Sequence, residues 1–194
     1  MCFGKEMRMD NGASSYHRFR DTGDEQAFDE LITAYIDGLI LYLSRIVGNI
    51  RTAEEAAEDT FVILGTKKPV FKGKSSFKTW LYAIGRNTAN DWLRKNAKHR
   101  GVSLDDLPEQ ISEQDAVEEA YLRKEQQTAV RTAMRALPPV YQQVLWLIYF
   151  EGFSTKDTAV IMKKTVRSIE SLLSRAREAL KSQLETEGFH YEEP

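Results

Sequence analysis

Three clusters in the 194-residue chain hold side chains whose types and spacing could do chemistry. The first is acidic. Glu54, Glu55, Glu58 and Asp59 fall at steps of three and four, so a helix would set them on one side. Glu54 and Glu58 could share a divalent cation, but an acidic face of this kind more often meets solvent or a protein partner. The second cluster alternates aromatic residues and lysines around a short polar loop: Phe71, Lys72, Gly73, Lys74, Ser75, Ser76, Phe77, Lys78, Thr79, Trp80. Arg86, Asn87, Asn90 and Arg94 follow it. Lysines track a phosphate backbone, aromatic faces stack on bases and Asn amides read exposed base edges, a combination suited to single-stranded nucleic acid. Phe77 and Trp80 could equally be core residues, and both uses can coexist.

The third cluster spans residues 153–180. Ser154 can cap a short helix, with Asp157 three residues on to reinforce it, and Thr165 can cap the next after the turn Lys163-Lys164. Ile169, Leu172, Leu173, Ala176 and Leu180 form a buried stripe, while Arg167, Ser168, Ser171, Ser174, Arg175 and Arg177 lie elsewhere around the helix. This is a helix-turn-helix pattern, whose second helix presents its amino-terminal end to the major groove while flanking bases hold phosphates. Glu170 sits badly in that role, since an acid repels phosphate or must accept from a cytosine amino group.

Other chemistry finds little support. His17, His99 and His190 are scattered without metal-ligand spacing, and the single Cys2 can form neither an internal disulfide nor a cysteine zinc site. No Gly-rich phosphate loop or G-x-S-x-G elbow occurs. The expectation is a non-enzyme without metal or cofactor. No apolar run is long enough to span a bilayer, and the amino terminus does not read as a secretory signal, so a cytoplasmic protein is expected.

The elements that must position these clusters are helical throughout. Phe28, Leu31, Ile32, Tyr35, Ile36, Leu39, Leu43, Ile46 and Val47 trace one apolar stripe. Thr52 with Glu55 resembles a capping box for a second helix, and Ser76 or Phe77 opens a third. Residues 117–137, 140–150, 154–162 and 166–184 read as four more. No alternating strand pattern appears.

Charge divides the chain along the same lines. The formal net charge is only -2. Residues 21–64, however, carry ten acids against two bases, and residues 65–100 carry ten bases against one acid. Residues 101–120 have seven acids and no base, and residues 156–181 seven bases against three acids. The fold class expected is all-α, with two small helical domains joined by an acidic flexible linker, the second domain a helix-turn-helix. The boundaries read as a flexible segment 1–23, a first domain 24–100, a linker 101–116, a second domain 117–186 and a tail 187–194.

In this order the motifs resemble the extracytoplasmic-function group of the sigma-70 family, the promoter-recognition subunits of bacterial RNA polymerase. The stretch Thr52 to Phe61 looks like the acidic helix that grips the clamp helices of the largest polymerase subunit. That resemblance implies polymerase contacts through Glu54, Glu55, Glu58, Asp59 and Phe61. Residues 71–94 look like the part that melts and reads the minus-ten element, through Lys72, Lys74, Ser75, Ser76, Phe77, Trp80, Arg86, Asn87, Asn90 and Arg94. Residues 137–145 with 172–180 look like the minus-thirty-five domain, implying DNA contacts by Ser154, Thr165, Arg167, Ser168, Ser171, Arg175 and Arg177. The implied partners are core polymerase (clamp helices, and the flap of the second-largest subunit), promoter DNA both duplex and single-stranded, and an anti-sigma factor. The chain departs from the family pattern at Lys163, where Gly is usual, at Gly85, where Ala is usual, and at Glu170 and Leu172, where bases are usual.

Two rivals remain open. A plain helix-turn-helix regulator explains residues 153–180 but not the acidic helix or the aromatic-basic block. A metal-dependent nuclease would use the acids of residues 54–59.

Overall fold

The computed structural model describes residues 11–100 and 130–186. The expected linker, the first part of the helix expected over 117–137, and the tail 187–194 lie outside the described residues. Helices α1 (Asn11–Thr22), α2 (Glu25–Val47), α3 (Ile50–Lys67) and α4 (Phe77–Arg100) form the first unit. The second comprises α5 (residues 130–135), α6 (Pro139–Leu145), a π-helical segment (Trp146–Phe150), α7 (Thr155–Met162) and α8 (Val166–Thr186). No strand occurs among the described residues.

Local chemistry explains the boundaries. Asp24 accepts from Ala27 N at 3.1 Å and starts α2, and Gly48 ends it in left-handed geometry, φ 81°, with its N–H on Ser44 O. The cap of α3 is not the Thr52–Glu55 pair. Asn49, extended at φ -151°, accepts from Thr52 N at 2.8 Å, so the helix opens at Ile50. Once a left-handed Gly48 has turned the chain, the short amide of Asn49 is the first side chain able to reach an orphan N–H.

The first core lies between α2, α3 and α4, with Leu31, Leu39, Leu43, Ala56, Ala57, Leu64, Leu81 and Ala89 all at most 1% exposed. Gly85 has its reason here. A Cβ at that position would fall 2.8 Å from Leu39 Cδ1, so the bare backbone allows the close approach of α2 and α4, offsetting the ~1 kcal/mol that Gly costs a helix.

The expectation of a flexible segment over residues 1–23 needs correction. Residues 11–22 form α1, and Tyr16 and Phe19 are buried in the core. Phe19 stacks on Phe28 at 4.3 Å, and the Tyr16 hydroxyl donates to Pro69 O at 2.7 Å. Few apolar residues mark α1 in the sequence, but two large rings one turn apart bury enough surface to hold it.

The second unit packs α6 and α7 against α8, with Val144, Leu145, Leu147, Ile161, Ile169 and Ala176 at most 1% exposed. It is continuous with the first: α6 rests on α2 and α7 on α4, within one apolar cluster.

Tyr16→Ala removes a fully buried ring and should cost about 3–5 kcal/mol in urea unfolding; a loss under 1 kcal/mol would show α1 to be peripheral. Burial, opposed in part by Arg20, also pushes the Tyr16 hydroxyl up to about 12, and burial raises Tyr42 and Tyr82 in the same direction. A folded pKa above the unfolded value of about 10 means full stabilisation below pH ~10 and loss as pH climbs through ~12. Alkaline titration by circular dichroism should therefore show stability falling in that window.

Candidate nucleic-acid interface

On α3 the period of the helix separates two faces. Ala53, Ala56, Ala57 and Thr60 point inward, while Glu54, Glu55, Glu58 and Asp59 are exposed together. Phe61, grouped with these acids from the sequence, is 4% exposed and lies edge-on to Phe28, so it belongs to the core. Val62 is the exposed apolar side chain beside the acids. It was missed because an isolated valine carries no charge pattern to mark it.

The aromatic-basic block divides by residue type. Phe71 and Phe77 are buried and meet edge-on at 5.8 Å. Trp80, half-buried, lies 5.2 Å from Phe71 and 5.3 Å from Tyr16 by ring centroids. The rings pin both ends of the intervening loop, which turns at Gly73 and leaves Lys72 and Lys74 exposed. For Phe77 the core alternative holds in this arrangement, since its ring is fully buried. Ser76 caps α4, accepting from Thr79 N at 3.1 Å, and Ser75 donates to Ser76 O at 3.2 Å. Trp80 keeps part of its face in reach of solvent.

Beyond the loop, Arg86, Asn87 and Asn90 are half-buried along α4 and Arg94 is exposed. The Asn90 amide donates to Arg86 O at 2.7 Å, and Arg94 pairs with Asp91 at 3.1 Å. Arg86 Nε is buried with no hydrogen-bond partner among the described residues, and the guanidinium lies close enough to the Tyr42 hydroxyl to oppose part of the rise that burial causes there.

In the helix-turn-helix both expected caps form. Ser154 accepts from Asp157 N at 3.1 Å, and Thr165 accepts from Ser168 N at 3.2 Å. The stripe Ile169, Leu172, Leu173 and Ala176 is buried, so Leu172 packs the core. Arg167, Ser168, Glu170, Ser171 and Arg175 are exposed on α8. The Arg175 Nε–H donates to Ser171 O at 3.2 Å, which folds its guanidinium back along the helix. Arg177, exposed as well, meets an aromatic ring of the second unit. It lies over the Tyr149 ring at 5.5 Å and donates to its hydroxyl, beside an apolar cavity of about 390 Å³ lined by Met134, Leu145, Phe150 and Leu184.

The turn is left-handed, with Lys163 at φ 53°, ψ 46° closing α7 through bonds to Ala159 O and Val160 O. A lysine is strained there. Among the described residues no group of three His, Cys, Asp or Glu could hold a metal ion, and no helix is long and apolar enough to cross a membrane.

Comparison with known proteins places these features in context. Residues 31–99 match the family model for sigma-70 region 2, and residues 127–180 that for sigma-70 region 4. The chain is 30% identical over 171 residues to the RNA polymerase sigma-H factor of Pseudomonas aeruginosa, covering 84% of this chain and 89% of that one. It is 28% identical over 170 residues to the ECF RNA polymerase sigma factor SigW of Bacillus subtilis, covering 84% and 91%. The fold is similar to that of the sigma factor RpoE in complex with the anti-sigma factor NepR from Bartonella quintana, at a TM-score of 0.66 and 24% identity over 81% of this chain and 96% of that one. It also resembles CnrH in complex with the cytosolic domain of CnrY, at a TM-score of 0.61 and 18% identity over 91% and 96%.

Lys163→Gly should relieve the turn and stabilise the chain by roughly 1 kcal/mol, read as a rise in Tm; an unchanged or lower Tm would mean that Lys163 makes compensating contacts.

Proposed function

The chain belongs to the extracytoplasmic-function group of the sigma-70 family of bacterial RNA polymerase sigma factors, and we propose how its parts divide that family's work. It directs core polymerase to particular promoters and starts transcription there. The family acts as initiation factors, and on our reading this chain has no catalytic step of its own.

The first unit, which we extend to residues 11–100 to include α1, binds core polymerase and handles the minus-ten element. The acids of α3 are the polymerase-facing group, with Val62 as their apolar companion. They are aimed at the clamp helices of the largest subunit. The Lys72–Ser76 loop and the Arg86–Arg94 side of α4 take the non-template strand, with the exposed part of Trp80 as the stacking surface. Captured bases offset an unstacking cost of a few kcal/mol, so melting requires no nucleotide hydrolysis.

The second unit, residues 117–186, anchors upstream duplex at the minus-thirty-five element. Arg167, Ser168 and Ser171 are the contacts its geometry supports best, with Arg175 on phosphate. Arg177 and the apolar cavity beside it are better suited to the flap of the second-largest polymerase subunit. A protein of similar fold was solved with an anti-sigma factor, and we extend an anti-sigma partner and a signal-dependent role in the cytoplasm to this chain. The observation that carries the reading is the exposed acidic face of α3, one element before a ring-pinned basic loop. A helix-turn-helix regulator acting without polymerase leaves that face without work.

Charge reversal at Glu58 and Asp59 should weaken retention of core polymerase roughly tenfold or more in a low-salt pull-down, from two lost and reversed surface contacts. Lys74→Ala and Trp80→Ala should keep polymerase but lose thymine reactivity to permanganate near the start site. Undiminished retention in the first case, or undiminished melting in both of the second, would overturn the assignments.

A further inference from the structure

The first two turns of α8 set one carboxylate among hydroxyls and a guanidinium. Thr165 caps the helix through Ser168 N and Val166 opens it, so Arg167, Ser168, Glu170 and Ser171 all lie near its amino-terminal end. Ile169, Leu172, Leu173 and Ala176 face the core. At about 3.6 residues per turn, the direction opposite that stripe falls to Arg167, Ser171 and Ser174, with Glu170 at their side. All four are exposed. Glu170 stands one turn after Arg167 and one turn before Ser174.

The surroundings do not neutralise this acid. Arg175 is folded back on Ser171 O at 3.2 Å, and Arg177 lies over the Tyr149 ring at 5.5 Å. Among the described residues Glu170 makes no ion pair. The family pattern has a base where this carboxylate stands.

An uncompensated carboxylate limits what that face can meet in a major groove. Phosphates repel it, and duplex DNA carries one of them for about every 1.7 Å of axis. Carboxylate oxygens only accept, so the base edge opposite must donate. Two bases offer a donor there, cytosine through its N4 amino group and adenine through N6. Adenine places the acceptor N7 beside its donor, which opposes the second carboxylate oxygen. Guanine shows only the acceptors O6 and N7, and thymine the acceptor O4. Cytosine alone has an edge with a donor and no acceptor. Spacing along the helix adds a register. Arg167 and Glu170 are about 4.5 Å apart along the axis, against about 3.4 Å between stacked pairs, so they reach neighbouring base pairs.

We propose that Glu170 is a specificity-determining residue, accepting from N4 of a cytosine next to the base pair that Arg167 contacts in the upstream element. Its charge lowers affinity for every duplex through the phosphates and offsets that loss only where a cytosine faces it. The helix thereby rejects near-matched sites as well as selecting its own. This rests on the minus-thirty-five assignment of the second unit above.

The test uses the full chain with core polymerase. A promoter obtained by run-off transcription on genomic fragments has its upstream block randomised, and the transcribed sequences are read. Parent holoenzyme should enrich cytosine at one position roughly tenfold over the other bases. Glu170→Gln should lose that cytosine in favour of adenine, whose N6 and N7 a carboxamide matches, and Glu170→Arg should favour guanine, with the flanking positions unchanged. On duplex with that cytosine replaced, affinity should fall roughly tenfold for the parent and stay level for Glu170→Gln. On unrelated duplex Glu170→Gln should bind several-fold better than the parent. An equal loss on every duplex marks a merely structural residue and overturns the proposal, as does a selected element without cytosine or one identical in all three chains. With transcription intact, these results remove the role of Glu170 alone. Transcription with no base preferred anywhere in the block removes the assignment of the second unit, and no promoter-dependent transcript from the parent removes the promoter reading itself.

Discussion

The cluster of Tyr16, Phe71, Phe77 and Trp80 is the constraint on which the first unit depends. These four rings, with centroids 5.2–5.8 Å apart in every contacting pair, tie α1, the loop and the start of α4 to one point. A loop of two lysines, a glycine and two serines has no core of its own. It holds a shape because buried rings fix its ends, each aromatic pair contributing about 0.5–1.5 kcal/mol beyond its burial. The same rings therefore hold the fold and fix the loop to which we assign strand handling. Trp80 alone is left partly open to solvent.

Charge order supplies the second constraint. On the proposed reading the acids hold a protein and the bases a polyanion, so the two cannot mix. The near-zero sum of -2 is what remains after that segregation along the chain. The contact between the two units repeats this logic at short range, with Glu151 2.8 Å from Lys78 Nζ and Asp157 accepting from the Thr79 hydroxyl.

Much of this was legible in the sequence. The stripes of α2 and α8, the caps at Ser154 and Thr165, and the split of α3 into an acidic and an alanine face all follow from helical period and side-chain size. What escaped depended on tertiary contact. Phe61 sits in a motif that suggests binding, and only its packing against Phe28 shows it to be core, while for Phe77, open to both uses from the sequence, packing against Phe71 decides for the core. Helix α1 has too few apolar residues to announce itself. Arg177 meets Tyr149 of the π-helical segment, 28 residues away in the chain. Glu151 had one faint signal: it is the sole charge between residues 136 and 155, in an otherwise uncharged stretch where a carboxylate needs a partner. That partner, Lys78, lies 73 residues away in the chain, beyond the reach of any local pattern.

Run-off transcription with core polymerase on a library of genomic fragments tests the central claim most directly. The account predicts discrete transcripts from a restricted set of start sites, sharing two upstream elements and present only when the chain is added. A transcript pattern identical with and without the chain would contradict it.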